Sequence, residues 1–281
     1  MFKFIKGFFR LLIILILLVV LLFTYARFLE PRMLKDHPVS ILSPRVSENS
    51  DGLKIALFAD THFGAFYTVS DFEKVIESIN SNHPDLVIFA GDLIDKFDDY
   101  EGNVADISAS LNRIQSKYGK FAVFGNHDYG GGAEREYSAI MENGGFTVLK
   151  NQYFALDELG ISIIGIDDML IGYGSTDIVS WARTDYFNIA ISHAPDVLDE
   201  VLDANIDLML SGHTHGRQVN LPPFDDYILP PGGKKYVKGI FDFENHRNTQ
   251  LYVTPGLGTT QMPLRFLSPP EITFLTLRTG N

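Results

Sequence analysis

The 281-residue chain contains no cysteine. That excludes a disulfide framework and any thiolate metal site, so a metal here must be held through nitrogen and oxygen. The absence leaves the redox compartment open. Basic residues are scarce: 23 Lys and Arg stand against 35 Asp and Glu, a formal net charge of −12. Residues 1–40 carry Lys3, Lys6, Arg10, Arg27, Arg32 and Lys35 against Glu30 and Asp36, which is +4, so the remainder carries −16. A body that acidic lacks the electrostatic footprint for nonspecific nucleic-acid binding, and nucleic acid is not an expected partner. There is no internal repeat and no low-complexity tract. Apolar residues make up 46% of the chain, which excludes extensive disorder.

One long apolar run is present, Leu11 to Phe23. With Phe8, Phe9, Tyr25 and Ala26 it approaches the roughly 20 residues that span a bilayer. A cleaved signal peptide would show small residues in an A-x-A-like site. The following Thr24-Tyr-Ala-Arg-Phe-Leu-Glu-Pro31 is a poor one, so residues 1–29 read as an uncleaved anchor. A buried core helix would not be apolar around its whole circumference. Lys3, Lys6 and Arg10 precede the run, and the positive-inside bias then gives a single-pass cell-membrane protein with its body outside the cytoplasm. Arg27, Arg32 and Lys35 on the far flank oppose that orientation. Residues 30–52, with three prolines and a polar tail, read as a linker. Residues 53–281 then form one α/β domain.

Within that domain short apolar runs alternate with amphipathic stretches. Residues 53–59, 86–90, 121–124, 161–166, 187–192 and 208–211 read as buried strands. Helices are expected from a Ser70 cap onward and over 103–117, 133–143 and about 197–202. Strand–helix–strand repetition implies right-handed crossovers and a largely parallel sheet. Beyond Gly216 the helical pattern stops, and 251–254 and 272–277 read as further strands.

Five strand candidates each end in a polar cluster: Asp60-Thr-His62, Gly91-Asp92, Gly125-Asn-His-Asp128, His193, and Gly212-His-Thr-His215. In an open α/β sheet the carboxyl ends of the strands form the ligand crevice. Asp, Asn and His supply hard oxygen and borderline imidazole ligands. The i, i+2 pairs Asp60/His62 and His213/His215 would need sharp turns to face a common centre, which nearby glycines permit. Five of the eight histidines sit at these ends, whereas His37 and His83 read as solvated or capping residues.

The ordered set D-x-H, G-D, G-N-H-D, H, G-H-x-H resembles the calcineurin-like metallophosphoesterases over about residues 53–277. The FADTHFG, FAGDLID, FGNHDY, SHAPD and GHTHG segments, and the tail around Arg265 and Pro270-Glu271, are similar to its bacterial membrane-associated branch of phosphodiesterases and UDP-2,3-diacylglucosamine pyrophosphatase-like enzymes. The resemblance implies a four-layer α/β sandwich with two central mixed β-sheets; the apolar run reads as one transmembrane helix preceding it. It implies two divalent ions per chain, Mn²⁺ favoured and Zn or Fe possible. Asp60, His62 and His215 would hold one and Asn126, His193 and His213 the other, with Asp92 bridging. His127 would act as general acid or transition-state donor, and Asp128 would orient it and raise its pKa. Two such ions ~3.5–4 Å apart clamp phosphate oxygens and lower the pKa of a bridging water, whose hydroxide attacks phosphorus in line.

Two departures bear on substrate. Arg217 follows Gly216 where relatives commonly carry glycine, and Thr254-Pro-Gly256 stands where they often carry an arginine. Arg217 is therefore a candidate phosphate-binding residue, against the plainer alternative of an exposed loop arginine. Phe63, Phe66, Tyr67, Phe97 and Tyr100 could rim a lipid or nucleobase site, against ordinary packing beneath loops. The expected reaction is hydrolysis of a phosphodiester or pyrophosphate bond, lipid-linked substrates included. A phosphomonoesterase or phosphoprotein phosphatase is the alternative, and a non-catalytic metal-binding scaffold would be expected to have lost ligands.

Overall fold

The computed structural model describes residues 2–222 and 229–280. It begins with α1 (Phe2–Thr24), a helix whose large apolar side chains are exposed on every side and which is long and apolar enough to cross a membrane. The folded body contains two six-stranded sheets. The first comprises β1 (Lys35–Ser43), β2 (Lys54–Phe58), β3 (Leu86–Phe89), β4 (Lys120–Ala122), β5 (Thr147–Val148) and β12 (Glu271–Thr279), in the order β1-β12-β2-β3-β4-β5. The second comprises β6 (Gln152–Leu156), β7 (Ile161–Gly165), β8 (Phe187–Ile191), β9 (Leu208–Ser211), β10 (Gly239–Asp242) and β11 (Gln250–Val253), in the order β10-β11-β9-β8-β7-β6. Both are mixed: β12 runs antiparallel to β2, and β6 and β10 run antiparallel to β7 and β11.

The central strands are largely apolar because both faces are covered. Along β2, Ala56 and Phe58 face the helices α2 (Val69–Asn82), α3 (Val104–Asn112) and α5 (Tyr137–Asn143), while Ile55 and Leu57 face the other sheet. In β9, Leu208 and Leu210 enter the inter-sheet core, and Met209 packs outward beside Leu198 and Val201 of α6 (Leu198–Val201). Three cores therefore separate four layers. The cap of α2 is Thr68 rather than Ser70: its hydroxyl accepts from Asp71 N–H, and the Asp71 carboxylate returns the bond. His83 ends the helix in a left-handed conformation, as a capping residue would.

The segment expected to be a linker is not one. Residues 35–43 form β1, in parallel register with 271–279 from Lys35↔Glu271 to Ser43↔Thr279. Its side chains alternate between solvent and core only near Ile41 and Ser43, so no local hydrophobic period marks it. Pro38 is tolerated because the strand is at an edge. Upstream, Glu30 is 1% exposed and accepts a hydrogen bond of 2.6 Å from Ser268 N–H, while Arg265 N–H donates to Ala26 carbonyl at 2.9 Å. The end of the apolar helix is thus packed into the body.

Candidate metal centre

The strand ends bring the motifs together as the alternation of chain and sheet requires. Seven non-glycine residues in them have positive φ: Asp60, His62, Asp92, His213, His215, Arg217 and Gln218. Left-handed backbone is costly for such side chains and concentrates where function over-determines it. It is how the i, i+2 pairs Asp60/His62 and His213/His215 both face inward. Gly212 cannot be replaced cheaply, since a Cβ there would lie 2.5 Å from Asp60 Oδ2.

Three groups of side chains are close enough to share a cation: Asp60/His62/His215, His62/Asp92/His127 and Asp92/His193/His213. Asp92 Oδ2 lies 3.5 Å from His62 Nε2 and 3.0 Å from His193 Nε2, between the outer two groups. The Nε2 atoms of His62 and His215 face each other at 3.1 Å. Two imidazole nitrogens bound at ~2.1 Å at a right angle on one ion would stand about 3.0 Å apart. Asn126 Oδ1 is buried with no hydrogen-bond partner among the described residues, and buried His193 Nε2 meets only the Asp92 carboxylate, as an ion pair. Buried polar atoms are rarely left so, and a cation would satisfy Asn126 Oδ1. The ring orientations agree: His193 Nδ1 donates to Ala90 carbonyl (2.6 Å) and His213 Nε2 to Pro231 carbonyl (2.8 Å), which leaves His193 Nε2 and His213 Nδ1 as the nitrogens available to a cation. The donor set fits a divalent metal.

The electrostatics are divided. Burial, joined by His193, lowers His213 to about 4, and burial with His62 and Arg265 holds His215 well below its ordinary value. Both are neutral near pH 7, as metal ligands must be. Burial also disfavours the charged form of His193, yet Asp92 and Asp60 carry its pKa up to about 10. Burial would raise Asp92, but His193, His127 and His62 outweigh it and hold the carboxyl well below the usual range.

His127 sits beside this centre. Its Nδ1 donates to the Asp95 carbonyl at 2.8 Å, which leaves Nε2 for a substrate. Burial lowers its pKa, but Asp92 and Asp95 raise it above the ordinary histidine value. Asp128 does not do this. Its fully buried carboxylate accepts N–H bonds from Asp92 (2.9 Å), Leu93 (2.9 Å) and Gly125 (2.8 Å). The expected contact with the His127 ring fails because adjacent residues of the short helix α4 (Asn126–Gly130) point in different directions. Asp95 takes the role instead: Oδ1 lies 3.3 Å from His62 Nδ1 and 3.4 Å from His127 Nδ1. Its place three residues after Asp92, in the same FAGDLID segment, was the available signal.

A cavity of about 420 Å³ opens over the centre. Asp92, Asn126, His127, His213 and His215 reach it, and Arg217 stands in its wall with Leu170, Ile171 and Met262. Gln218 pins the far wall by donating to Thr260 and Met262 carbonyls and accepting from Thr260 N–H. Of the aromatics expected at a rim, Phe63 and Tyr67 are core residues and Phe97 and Tyr100 pack against that core, while Phe66 is exposed.

The family model for calcineurin-like phosphoesterases matches residues 53–217, which contain every residue of this centre named in the five motifs. The chain belongs to that family. It is 40% identical over 263 residues to "Uncharacterized metallophosphoesterase YkuE" of Bacillus subtilis, covering 92% of this chain and 90% of that one. It is 31% identical to "Phosphodiesterase YaeI" of Escherichia coli, over 82% and 84% of the two chains. A zebrafish relative, "Transmembrane protein with metallophosphoesterase domain", is 25% identical over 97% of this chain, which spans 64% of that longer protein. This phosphoesterase is therefore a metal-dependent hydrolase of phosphoesters, and its Asp, Asn and His clusters are its candidate ligands.

Proposed function

We propose that the chain hydrolyses a phosphodiester or pyrophosphate bond of a lipid-linked substrate at a dinuclear centre, held at a membrane surface by α1. Asp60, His62 and His215 would hold one ion and Asn126, His193 and His213 the other, with the Asp92 carboxylate available to both. The single observation that carries this reading is the position of Asp92 Oδ2 between His62 and His193. Bound Mn²⁺ would supply Lewis-acid polarisation of the phosphoryl oxygens and an acidified water. The protein's own groups do the rest. His127, fixed by the Asp95 carbonyl, presents Nε2 and passes its proton to the departing oxygen. Arg217, in the wall of the cavity over the centre, would gather part of the phosphoryl charge.

The lipid part rests on Leu170, Ile171 and Met262, apolar walls that a small polar ester would not need. It also rests on the short chain path from Met262 to Arg265 and Phe266, which meet the turn that follows α1 at Ala26 and Tyr25. A body outside the cytoplasm remains the orientation favoured by Lys3, Lys6 and Arg10.

The test pairs metal analysis with a substrate panel. Asp92→Ala is expected to lose metal and activity together, and His127→Ala to keep metal and lose turnover. Retention of two ions by Asp92→Ala would refute the bridging role. Full-length protein with Mn²⁺ should favour a lipid-linked UDP-sugar over bis-p-nitrophenyl phosphate and p-nitrophenyl phosphate. Preference for the monoester would move the assignment to phosphomonoesterase.

A further inference from the structure

A second cavity, of about 350 Å³, lies where α1 meets the body. Arg27, Arg32 and Lys74 line it with Phe66, Ser70 and Thr259. None of the three cations has a hydrogen bond or ion pair among the described residues. The Arg27 guanidinium rests over the Phe28 and Phe66 rings, at 4.9 and 5.2 Å. The one acid in the wall, Asp71, is already engaged, accepting from Thr68 N–H (2.9 Å) and hydroxyl (2.7 Å). Arg27 and Arg32 come from the net-positive stretch 1–40, and Lys74 joins them from the body, whose residues beyond 40 carry −16. Gathering them there costs repulsion that an anion would relieve.

The depth of this cavity identifies the anion. Arg27 is four residues beyond Phe23, the last of the apolar run, or about 6 Å along a helix axis. The headgroup layer on each side of a ~30 Å hydrocarbon core is about 5–8 Å thick. Phe28, Leu29 and Phe66 are exposed around the cavity, as side chains that enter the boundary of acyl chains would be. A hollow lined by arginine and lysine at that level meets phosphate before it meets any other anion.

We infer that the junction cavity is a binding site for the phosphate of an anionic phospholipid headgroup, distinct from the metal centre. The inference rests on α1 being membrane-inserted and not on the identity of the enzyme's substrate. The strip Leu257–Gly258–Thr259 walls this cavity, and the next residues, Thr260 and Met262, wall the catalytic one. A lipid seated here fixes the height and tilt of the catalytic mouth over the bilayer.

The experiment uses full-length protein in dodecyl maltoside, with native mass spectrometry to count retained phosphatidylglycerol or phosphatidylcholine. Phosphatidylglycerol is expected to be retained preferentially. The double variant Arg27→Gln/Lys74→Gln should bind it about 30-fold more weakly, at about one kilocalorie per cation. Its kcat/KM on bis-p-nitrophenyl phosphate should stay within about twofold of wild type, which shows the fold and the metal centre intact. Equal retention by the double variant, or equal retention of phosphatidylcholine, overturns the proposal. Displacement of phosphatidylglycerol by millimolar inorganic phosphate overturns the lipid assignment in favour of a site for free phosphate. Flotation with phosphatidylcholine vesicles separately tests the insertion of α1, so failure there is distinguishable from failure of the site.

Discussion

Asp128→Asn separates two roles that the sequence alone merges. In the protein, Asp128 Oδ2 accepts from both Asp92 and Gly125 N–H groups, and Oδ1 from Leu93 N–H. An asparagine has one oxygen, so its NH₂ must oppose at least one of these donors whichever way it turns. The minimum loss leaves one buried N–H donor without its acceptor, about 2 kcal/mol. For a body of this size that lowers Tm by roughly 4–8 °C. The loosened segment carries Asp92, whose positive φ needs support. Metal affinity should therefore fall by about 10–100-fold, as for other groups that orient ligands. The His127 ring answers to Asp95, so the kcat–pH profile at saturating Mn²⁺ should keep its alkaline limb in Asp128→Asn. In Asp95→Asn a negative charge that raises the His127 pKa is removed, and that limb should move to lower pH. The assays are thermal melting, Mn²⁺ titration and the pH profile of both variants. If Asp128→Asn moved the limb as far as Asp95→Asn does, with Tm and metal affinity unchanged, the backbone-bracing account would be wrong.

Three further outcomes follow from the geometry. Removing the Glu30 acceptor leaves Ser268 N–H unsatisfied, and Ser268 Oγ in turn holds the His215 carbonyl at 3.0 Å. Glu30→Ala should therefore weaken Mn²⁺ binding and kcat/KM on a soluble diester even in detergent, with partial recovery in Glu30→Gln; unchanged values would show that the helix end is only a tether. His193, with a pKa of about 10, must lose a proton to ligate, so Mn²⁺ affinity should fall about tenfold per unit as pH drops from 8.5 to 6. Isothermal titration across that range checks this, and a flat profile refutes it; His213, at about 4, adds nothing there. Arg217→Ala should cost about 10–100-fold in kcat/KM if its guanidinium meets the phosphoryl group; an unchanged value removes Arg217 from the site.

The centre was legible because its residues are announced twice, by type and by position after a buried strand. Asp60, Asp92, Asn126, His193, His213 and His215 all gather where those strand ends implied. What escaped reading depends on partners distant in sequence. β1 reads as a linker because its ladder partner lies more than 230 residues away and six of its nine residues face solvent. Glu30 looks like the first acidic residue after an apolar helix, and only Ser268 makes it a buried one. Asp128 differs for the opposite reason: proximity in sequence suggests a contact with the His127 ring that helical geometry does not make.

These distant pairings change where the catalytic body begins. A chain starting at Leu53 would keep every proposed ligand but lack β1, exposing the whole edge of β12, and would leave Ser268 without its acceptor. An unpaired edge invites association. Such a protein should aggregate or melt early, whereas one starting near Thr24 retains β1, Glu30, Ala26 and the cations of the junction cavity. The apolar helix and catalytic integrity are consequently separable only between Phe23 and Tyr25: upstream of that point α1 is exposed, and downstream of it Tyr25, Ala26 and Glu30 contact Phe266, Arg265 and Ser268 before the chain enters β1.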